Sequence, residues 1–368
     1  MSLMKQVTVY REAGRFAGWP ANYGMWSWGD EIVLVFTVGY TDPGGGFHAR
    51  DKTRPFVPMQ ARSLDGGETW AVAPMDARMP GGRGLSADEH VNTDLSAGAA
   101  IEAGMTGTPA PCLGGIDFGH PDFAMMCARS GLGAGTTAWF YVSLDRCHSW
   151  AGPYALPMFG QSGIEARTDY LVSDVDTCTL LLTAARPSGG EGGGVLCVRT
   201  EDGGKSFEAL SWVATCEEGH VIMPSSARLP DGRIVTALRR TGPADGADRR
   251  NWIDLYGSDN DGLSWTYLST PVAETGRGGN PPAMALLDDG RLCLVSGYRN
   301  APFELHARVS DDGGETWSDP TVLRSGGGNH DIGYPRAVQR ADGRMVAAYY
   351  FNDDPEGERY IGATIWRP

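Results

Sequence analysis

Ser63-Leu-Asp-Gly-Gly-Glu-Thr-Trp70 returns almost letter for letter as Ser310-Asp-Asp-Gly-Gly-Glu-Thr-Trp317. Three weaker copies lie between them: Ser143 to Trp150 (SLDRCHSW), Thr200 to Phe207 (TEDGGKSF) and Ser258 to Trp265 (SDNDGLSW), so the five begin 80, 57, 58 and 52 residues after one another. The pattern S-x-D-x-G-x-T-W has a local logic. The Asp and Ser or Thr side chains bond backbone groups of a tight turn, glycine supplies positive φ, and the aromatic ring packs beneath. One copy would mark an ordinary hairpin; five at this spacing mark a recurring unit of fold.

Two further series set the register inside each unit. Asp231-Gly-Arg233 precedes IVTALRR, Asp289-Gly-Arg291 precedes LCLVSGYR, Asp342-Gly-Arg344 precedes MVAAYYF, and Gly29-Asp30-Glu31 precedes IVLVF, each reading as a turn followed by an alternating apolar strand. Upstream, Trp19-Pro20, His120-Pro121, Thr168-Asp169, Met223-Pro224, Asn280-Pro281 and Tyr334-Pro335 open apolar strands, a position where proline removes no needed ladder bond. Six starts against five boxes are reconciled at the termini. The sixth unit reaches its box position only near Trp366, so VTVY at Val7 to Tyr10 is expected to supply its outermost strand. The predicted fold is all-β: a six-bladed β-propeller of four-stranded antiparallel blades, one domain over residues 1–368, with the last blade closed by the N-terminal strand. The Gly-, Pro-, Ala- and Ser-rich stretch 71–119 is expected as a long inserted loop on the strand-start face, either a lid or a tolerated insertion.

Composition agrees. Glycine occurs 52 times, aromatic residues make up 10%, and no segment carries a long 3.6-residue apolar period. A net charge of −14 speaks against nucleic acid and anionic membranes as partners, so an anionic ligand would need a local arginine cluster. The seven cysteines show no paired spacing and read as reduced, strand-borne hydrophobes, which with the lack of a leader-like apolar stretch leads us to expect a cytoplasmic protein. Neither a cofactor nor a metal is expected, because His48, His120 and His330 share no ligand spacing.

In a four-stranded meander, the strand starts and the loops between second and third strands emerge on one face, opposite the box turns. That face is expected to gather Trp19, Asn22, Tyr40, His48, Arg50, Asp51, Arg54, His120, Asp122, Arg167, Asp169, Arg186, Arg239, Arg240, Arg299, His330, Asp331, Tyr334 and Arg336 around the central opening. So many guanidinium groups suggest a pocket for a carboxylate or sulfate; internal pairing with Asp122, Asp169 or Asp331 is the competing explanation.

The boxes, their spacing and the terminal closure resemble those of the sialidase (neuraminidase) superfamily, whose name for this turn is the Asp box. The resemblance implies a glycoside hydrolase acting on a terminal acidic sugar, with three arginines on its carboxylate, an Asp as acid/base, and a Tyr nucleophile assisted by a Glu. Carried over by position, it implies Tyr334 as nucleophile, Asp51 as acid/base, and Arg239, with Arg240 beside it, and Arg299 as anion ligands; their place on the strand-start face makes Arg167, Arg336, Trp19, His120, Asp169 and Asp331 the expected lining of the substrate site. The family's first arginine falls on Gly18 and its Glu on Met223. Arg15, Arg167 or Arg336 is left to replace the former, and Asp331 or Asp169 the latter. Two alternatives stay open: a glycosidase or lyase for uronate-type glycans using the same pocket, and a glycan-binding propeller without catalysis.

Overall fold

Each Asp box closes its hairpin through side-chain bonds to its own backbone. In the first, Ser63 Oγ accepts from Gly67 N–H (2.8 Å), Asp65 accepts from the N–H and hydroxyl of Thr69 (2.9 and 2.6 Å), and Trp70 Nε1 donates to the Gly67 carbonyl (2.9 Å). The Thr69 bonds hold the Asp65 carboxyl down at about 2. The same Ser- or Thr-to-backbone bond recurs at Ser143, Thr200, Ser258 and Ser310, and Asn260 does the aspartate's work in the fourth box by accepting from Ser264 N–H.

The structure, a computed structural model, describes residues 4–75, 77, 97–105, 107–243 and 249–368. Strand β1 (Lys5–Tyr10) is followed by blade I, formed by β2 (Arg15–Gly18), β3 (Gly24–Trp28), β4 (Glu31–Tyr40), β5 (Val57–Ser63) and β6 (Ala71–Pro74). Blade II holds β7 (Ala124–Arg129), β8 (Ala138–Ser143) and β9 (Ala151–Ala155). Blade III holds β10 (Tyr170–Val172), β11 (Cys178–Ala184), β12 (Gly194–Thr200) and β13 (Glu208–Thr215). Blade IV comprises β14 (His220–Arg228), β15 (Ile234–Thr241), β16 (Asn251–Ser258) and β17 (Thr266–Val272), and blade V comprises β18 (Ala283–Leu286), β19 (Leu292–Tyr298), β20 (Glu304–Ser310) and β21 (Thr321–Arg324). Blade VI runs β22 (Gly333–Gln339), β23 (Met345–Phe351), β24 (Tyr360–Trp366), and then β1, whose Val7 pairs with Ala363. The six-bladed propeller is therefore the observed fold, with the ring closed by the N-terminal strand.

Three details differ from the sequence expectation. The second strands, such as CTLLLTA and MVAAYYF, are buried along their whole length, because neighbouring blades cover both faces and no alternation is required. The stretch 71–119 is not one loop: Ala71–Pro74 form β6, the outer strand of blade I, and Ala97–Glu102 form a short helix; residues 78–96 lie outside the described part. Blade II shows three strands among the described residues. The inward edge of β7 is capped by side chains of blade III instead: Tyr170 OH accepts from Met125 N–H (3.3 Å) and Thr168 Oγ1 from Cys127 N–H (3.0 Å).

Candidate active site

Three of the residues that precede proline in the inner strands have left-handed backbones: Trp19 (φ 58°), Met223 (φ 55°) and Tyr334 (φ 49°). L-residues adopt this region at a cost of about 1–3 kcal/mol. In β14 and β22 the ladder register slips at these points, between Ile222 and Ser225 and between Gly333 and Arg336. A bulge of this kind re-aims a side chain. Here all three converge on one core cluster that also holds Tyr350. Asn280, fully buried at the start of blade V, fixes the Tyr334 bulge. Its Oδ1 accepts from Tyr334 N–H (3.1 Å) and Gly297 N–H (3.2 Å), and its Nδ2 donates to the Ile332 carbonyl (3.0 Å).

The Tyr334 phenol accepts a hydrogen bond from Arg239 Nη1 (3.0 Å), and the Arg299 guanidinium stands 5.3 Å from its ring centroid. Burial by itself would raise this phenol. Arg239, Arg299 and Arg167 outweigh burial and bring it below its ordinary value. Met223, at the position where the resemblance calls for a Glu, places its sulfur 3.7 Å from the same Arg239 nitrogen. Among the described residues no carboxylate hydrogen-bonds the Tyr334 hydroxyl. A phenol made more acidic by fixed guanidinium groups gives up its proton more readily, and the same groups would attract a substrate anion.

Beside Tyr334 a second network is complete within itself. Arg299, 1% exposed, donates from Nε to the Ile332 carbonyl (2.9 Å), from Nη1 to the Gly279 carbonyl (3.0 Å) and from Nη2 to Tyr350 OH. Tyr350 OH donates to Asp331 (2.8 Å), which also bonds His48 Nδ1 (2.5 Å) and Arg359 Nε (3.0 Å). Burial would raise the Asp331 carboxyl, but His48, Arg359 and Arg299 hold it far below the usual range. Burial drives the His48 imidazole down to about 4, so it bonds Asp331 as a neutral donor. The expectation that Arg299 grips an anion is corrected accordingly: its donors serve the fold, and it acts on Tyr334 through its field. Asp331 likewise does not replace the missing Glu, since its oxygens are engaged by Tyr350, His48 and Arg359.

The other expected site residues separate. Arg167 reaches the centre, bonding Asn22 Oδ1 through Nε (3.1 Å). Arg240 does not, because consecutive residues of β15 face opposite ways; its guanidinium lies 5.6 Å from the Trp252 ring and 3.7 Å from Asp254. Trp19 is completely buried against Phe16 and His48, which makes it core and not a stacking platform. His120 belongs to the turn before β7 on the opposite face, where the neighbouring Asp122 pairs with Arg146 of the second Asp box (2.5 Å). Asp169 and Arg336 lie further along the inner strands, in a cavity of about 270 Å³. There Asp169 accepts from Ser226 N–H and Oγ (3.0 and 2.7 Å) and Arg336 donates to the carbonyls of Ala21 and Thr168. Arg15 stacks on Tyr40 (4.1 Å), outside the cluster. Asp51 sits on the β4–β5 loop, on the Tyr334 face, with its carboxylate turned back onto Thr53 and Arg54 (2.5–2.9 Å) and held ionised by them.

Sequence reading missed Asn280, which was visible only as a strand start, and Phe47, whose ring lies 5.6 Å from the Arg299 guanidinium and 4.5 Å from the His330 ring. It also missed Glu165, a buried carboxylate accepting from Gly133 and Gly192 N–H (both 3.0 Å) and raised by burial. The glycine run before Phe47, and the Glu-Ala-Arg preceding Thr168, were the available signals.

This architecture defines a propeller of recurring Asp-box blades with a basic, tyrosine-centred face. The chain belongs to the BNR repeat-like domain family, whose model matches residues 129–346. No curated protein sequence matches it. Among solved structures it is similar to a protein of unknown function from Dyadobacter fermentans, at 21% identity with 99% of each chain covered and a TM-score of 0.71. It is also similar to an α-L-arabinofuranosidase of Fusarium graminearum (12% identity, 98% of each chain, TM-score 0.60). A sialidase of Trypanosoma rangeli matches at 11% identity, over 99% of this chain and 58% of that one, with a TM-score of 0.57. At these identities the likeness establishes the propeller fold.

Proposed function

We propose that this protein is a sialidase-like glycoside hydrolase that releases a terminal carboxylate-bearing sugar from a glycan. The observation that carries the reading is the Tyr334 phenol, hydrogen-bonded by Arg239 and lowered below its ordinary value by Arg239, Arg299 and Arg167. In this reading Tyr334 attacks the anomeric carbon or stabilises the positive charge that develops there, and Arg239 takes the sugar carboxylate. In place of a Glu, the guanidinium groups favour the phenolate, so the phenol proton is released to solvent before attack, and the glycosidic C–O bond breaks as its oxygen takes a proton from Asp51. Asp51 serves as acid/base after leaving Thr53 and Arg54. The sialidase and arabinofuranosidase neighbours support hydrolysis of glycosides on this scaffold by analogy.

A second reading, glycan binding without turnover, is favoured by Met223 standing where a proton acceptor for Tyr334 is needed. Fluorogenic sialoside, uronide and arabinofuranoside substrates separate the two. We expect hydrolysis of a carboxylate-bearing glycoside, reduced by about 10²-fold or more in Tyr334→Phe. Turnover of the arabinofuranoside alone would overturn the acidic-sugar reading, and binding of an acidic sugar with no turnover of any substrate would establish the second reading.

A further inference from the structure

Between blades IV and V, on the Tyr334 face, a cavity of about 620 Å³ is lined by Arg239, Arg249, Arg250, Arg277, His220 and Glu274, among others. Four guanidinium groups against one carboxylate form a local positive excess in a chain whose net charge is −14. Elsewhere arginines meet acidic partners, as Arg233 meets Asp231, Arg291 meets Asp289 and Arg344 meets Asp342. Among the described residues, none of the four cavity arginines has an ion-pair partner.

Uncharged contacts hold them instead. The Arg250 guanidinium lies 4.7 Å from the Trp252 ring centroid, that of Arg277 lies 5.6 Å from Phe47, and Arg249 Nε donates to the Gly242 carbonyl (3.0 Å). Glu274 accepts from Asn300 Nδ2 (2.8 Å), and Asn300 Oδ1 accepts from Arg277 N–H (3.1 Å). The glycine-rich loop between Thr275 and Asn280 can approach Arg239 because it lacks side chains there: a Cβ on Gly279 would meet Arg239 Nε at 3.0 Å and Asn251 Oδ1 at 2.8 Å. The field is felt by His220, whose imidazole burial, Arg239 and Arg249 push down to about 4. Guanidinium groups oriented by stacking and by backbone bonds, with no acidic ion-pair partner among the described residues, form a preorganised site for a planar or tetrahedral anion.

Arg239 belongs to both places, bonding Tyr334 on one side and lining this cavity on the other. Resting on the central-site reading above, we propose that the cavity is a second subsite, which takes an anionic substituent, carboxylate or sulfate, on the sugar next to the one held at Tyr334. The substrate class is therefore a polyanionic glycan, not one acidic sugar capping a neutral chain.

The test is calorimetric titration of the whole protein with three disaccharides that share one non-reducing uronate. The second sugar carries a free carboxylate, the same carboxylate as its methyl ester, or a sulfate. We expect a dianionic disaccharide to bind at least tenfold tighter than the ester, with the tighter of the carboxylate and sulfate forms identifying the natural substituent. In Arg249→Gln/Arg277→Gln that ratio should fall to within twofold, and in the unaltered protein the preference should shrink as salt rises. Equal affinity for ester and dianionic forms, or a preference that survives the double substitution, overturns the second subsite and leaves the central reading standing. Ester affinity unchanged by Tyr334→Ala would sink the central reading instead, and no binding of any of the three overturns both.

Discussion

Asp331→Asn removes one negative charge from the most enclosed carboxylate of the site while keeping its shape. Asp331 is fully buried, and its partner Arg359, 1% exposed, approaches it at 3.0 Å. The asparagine leaves a buried guanidinium without its counter-charge and turns an amide donor toward groups that are themselves donors. Breaking a buried pair from one side costs about 3–5 kcal/mol. With an unfolding entropy of about 2.1 cal/mol/K per residue, a chain of 368 residues loses about 0.8 kcal/mol of stability per degree near its midpoint, so Tm should fall by about 4–6 °C. Scanning calorimetry at neutral pH measures this directly. Asp289→Asn is the control: its pair with Arg291 is 54% and 35% exposed, so the change should stay below about 2 °C. A Tm within 1 °C of the parent in Asp331→Asn would show that the network around Arg299, Tyr350 and His48 does not depend on this charge, and the assignment of Arg299 to the fold would fall with it.

Further outcomes follow from the same geometry. Asn280→Ala strands the buried N–H groups of Tyr334 and Gly297, and should lower the denaturant-derived stability by about 3 kcal/mol; a loss under 1 kcal/mol would mean the bulge holds itself. Ser310→Ala removes the acceptor for the buried Gly314 N–H of the fifth Asp box, a cost of about 1–3 kcal/mol in the same measurement. Burial raises the Asp169 carboxyl to about 6, with Ser226 and Arg336 opposing only in part. The folded chain thus keeps a proton that the unfolded chain releases, so this contribution is full below about pH 4 and is lost as pH rises through 6, by up to about 3 kcal/mol. The Tm of Asp169→Asn relative to the parent should therefore climb between pH 4.5 and pH 7.5, and a difference that does not vary with pH would contradict burial as the cause.

Most of the architecture is legible along the chain, because it is written in short-range chemistry. Ser63 reaches only to Gly67, Asp65 only to Thr69, and each box states where a hairpin turns without reference to anything distant. Blade number and terminal closure follow from counting such turns. The site is legible only in part. Tyr334 and Arg239 do meet, and Arg167 acts on the same phenol through its charge, since strand starts and the ends of second strands share one face. Arg240 and His120 were misplaced because their direction depends on strand parity and on which strand of blade II His120 leads into, neither of which is settled by spacing.

Local chain chemistry thus settled the repeat, the blades and the ends of strands from which polar groups can face the axis. Only the tertiary structure decided which of those groups remain available. Arg299 and Asp331 are engaged by Ile332, Gly279, Tyr350, His48 and Arg359, whereas Arg249, Arg250 and Arg277 gather around a cavity without acidic partners among the described residues. The physical reason is that a buried charge takes whatever partner the fold brings within about 3 Å, and that partner here lies as many as 283 residues away in sequence, as His48 does from Asp331.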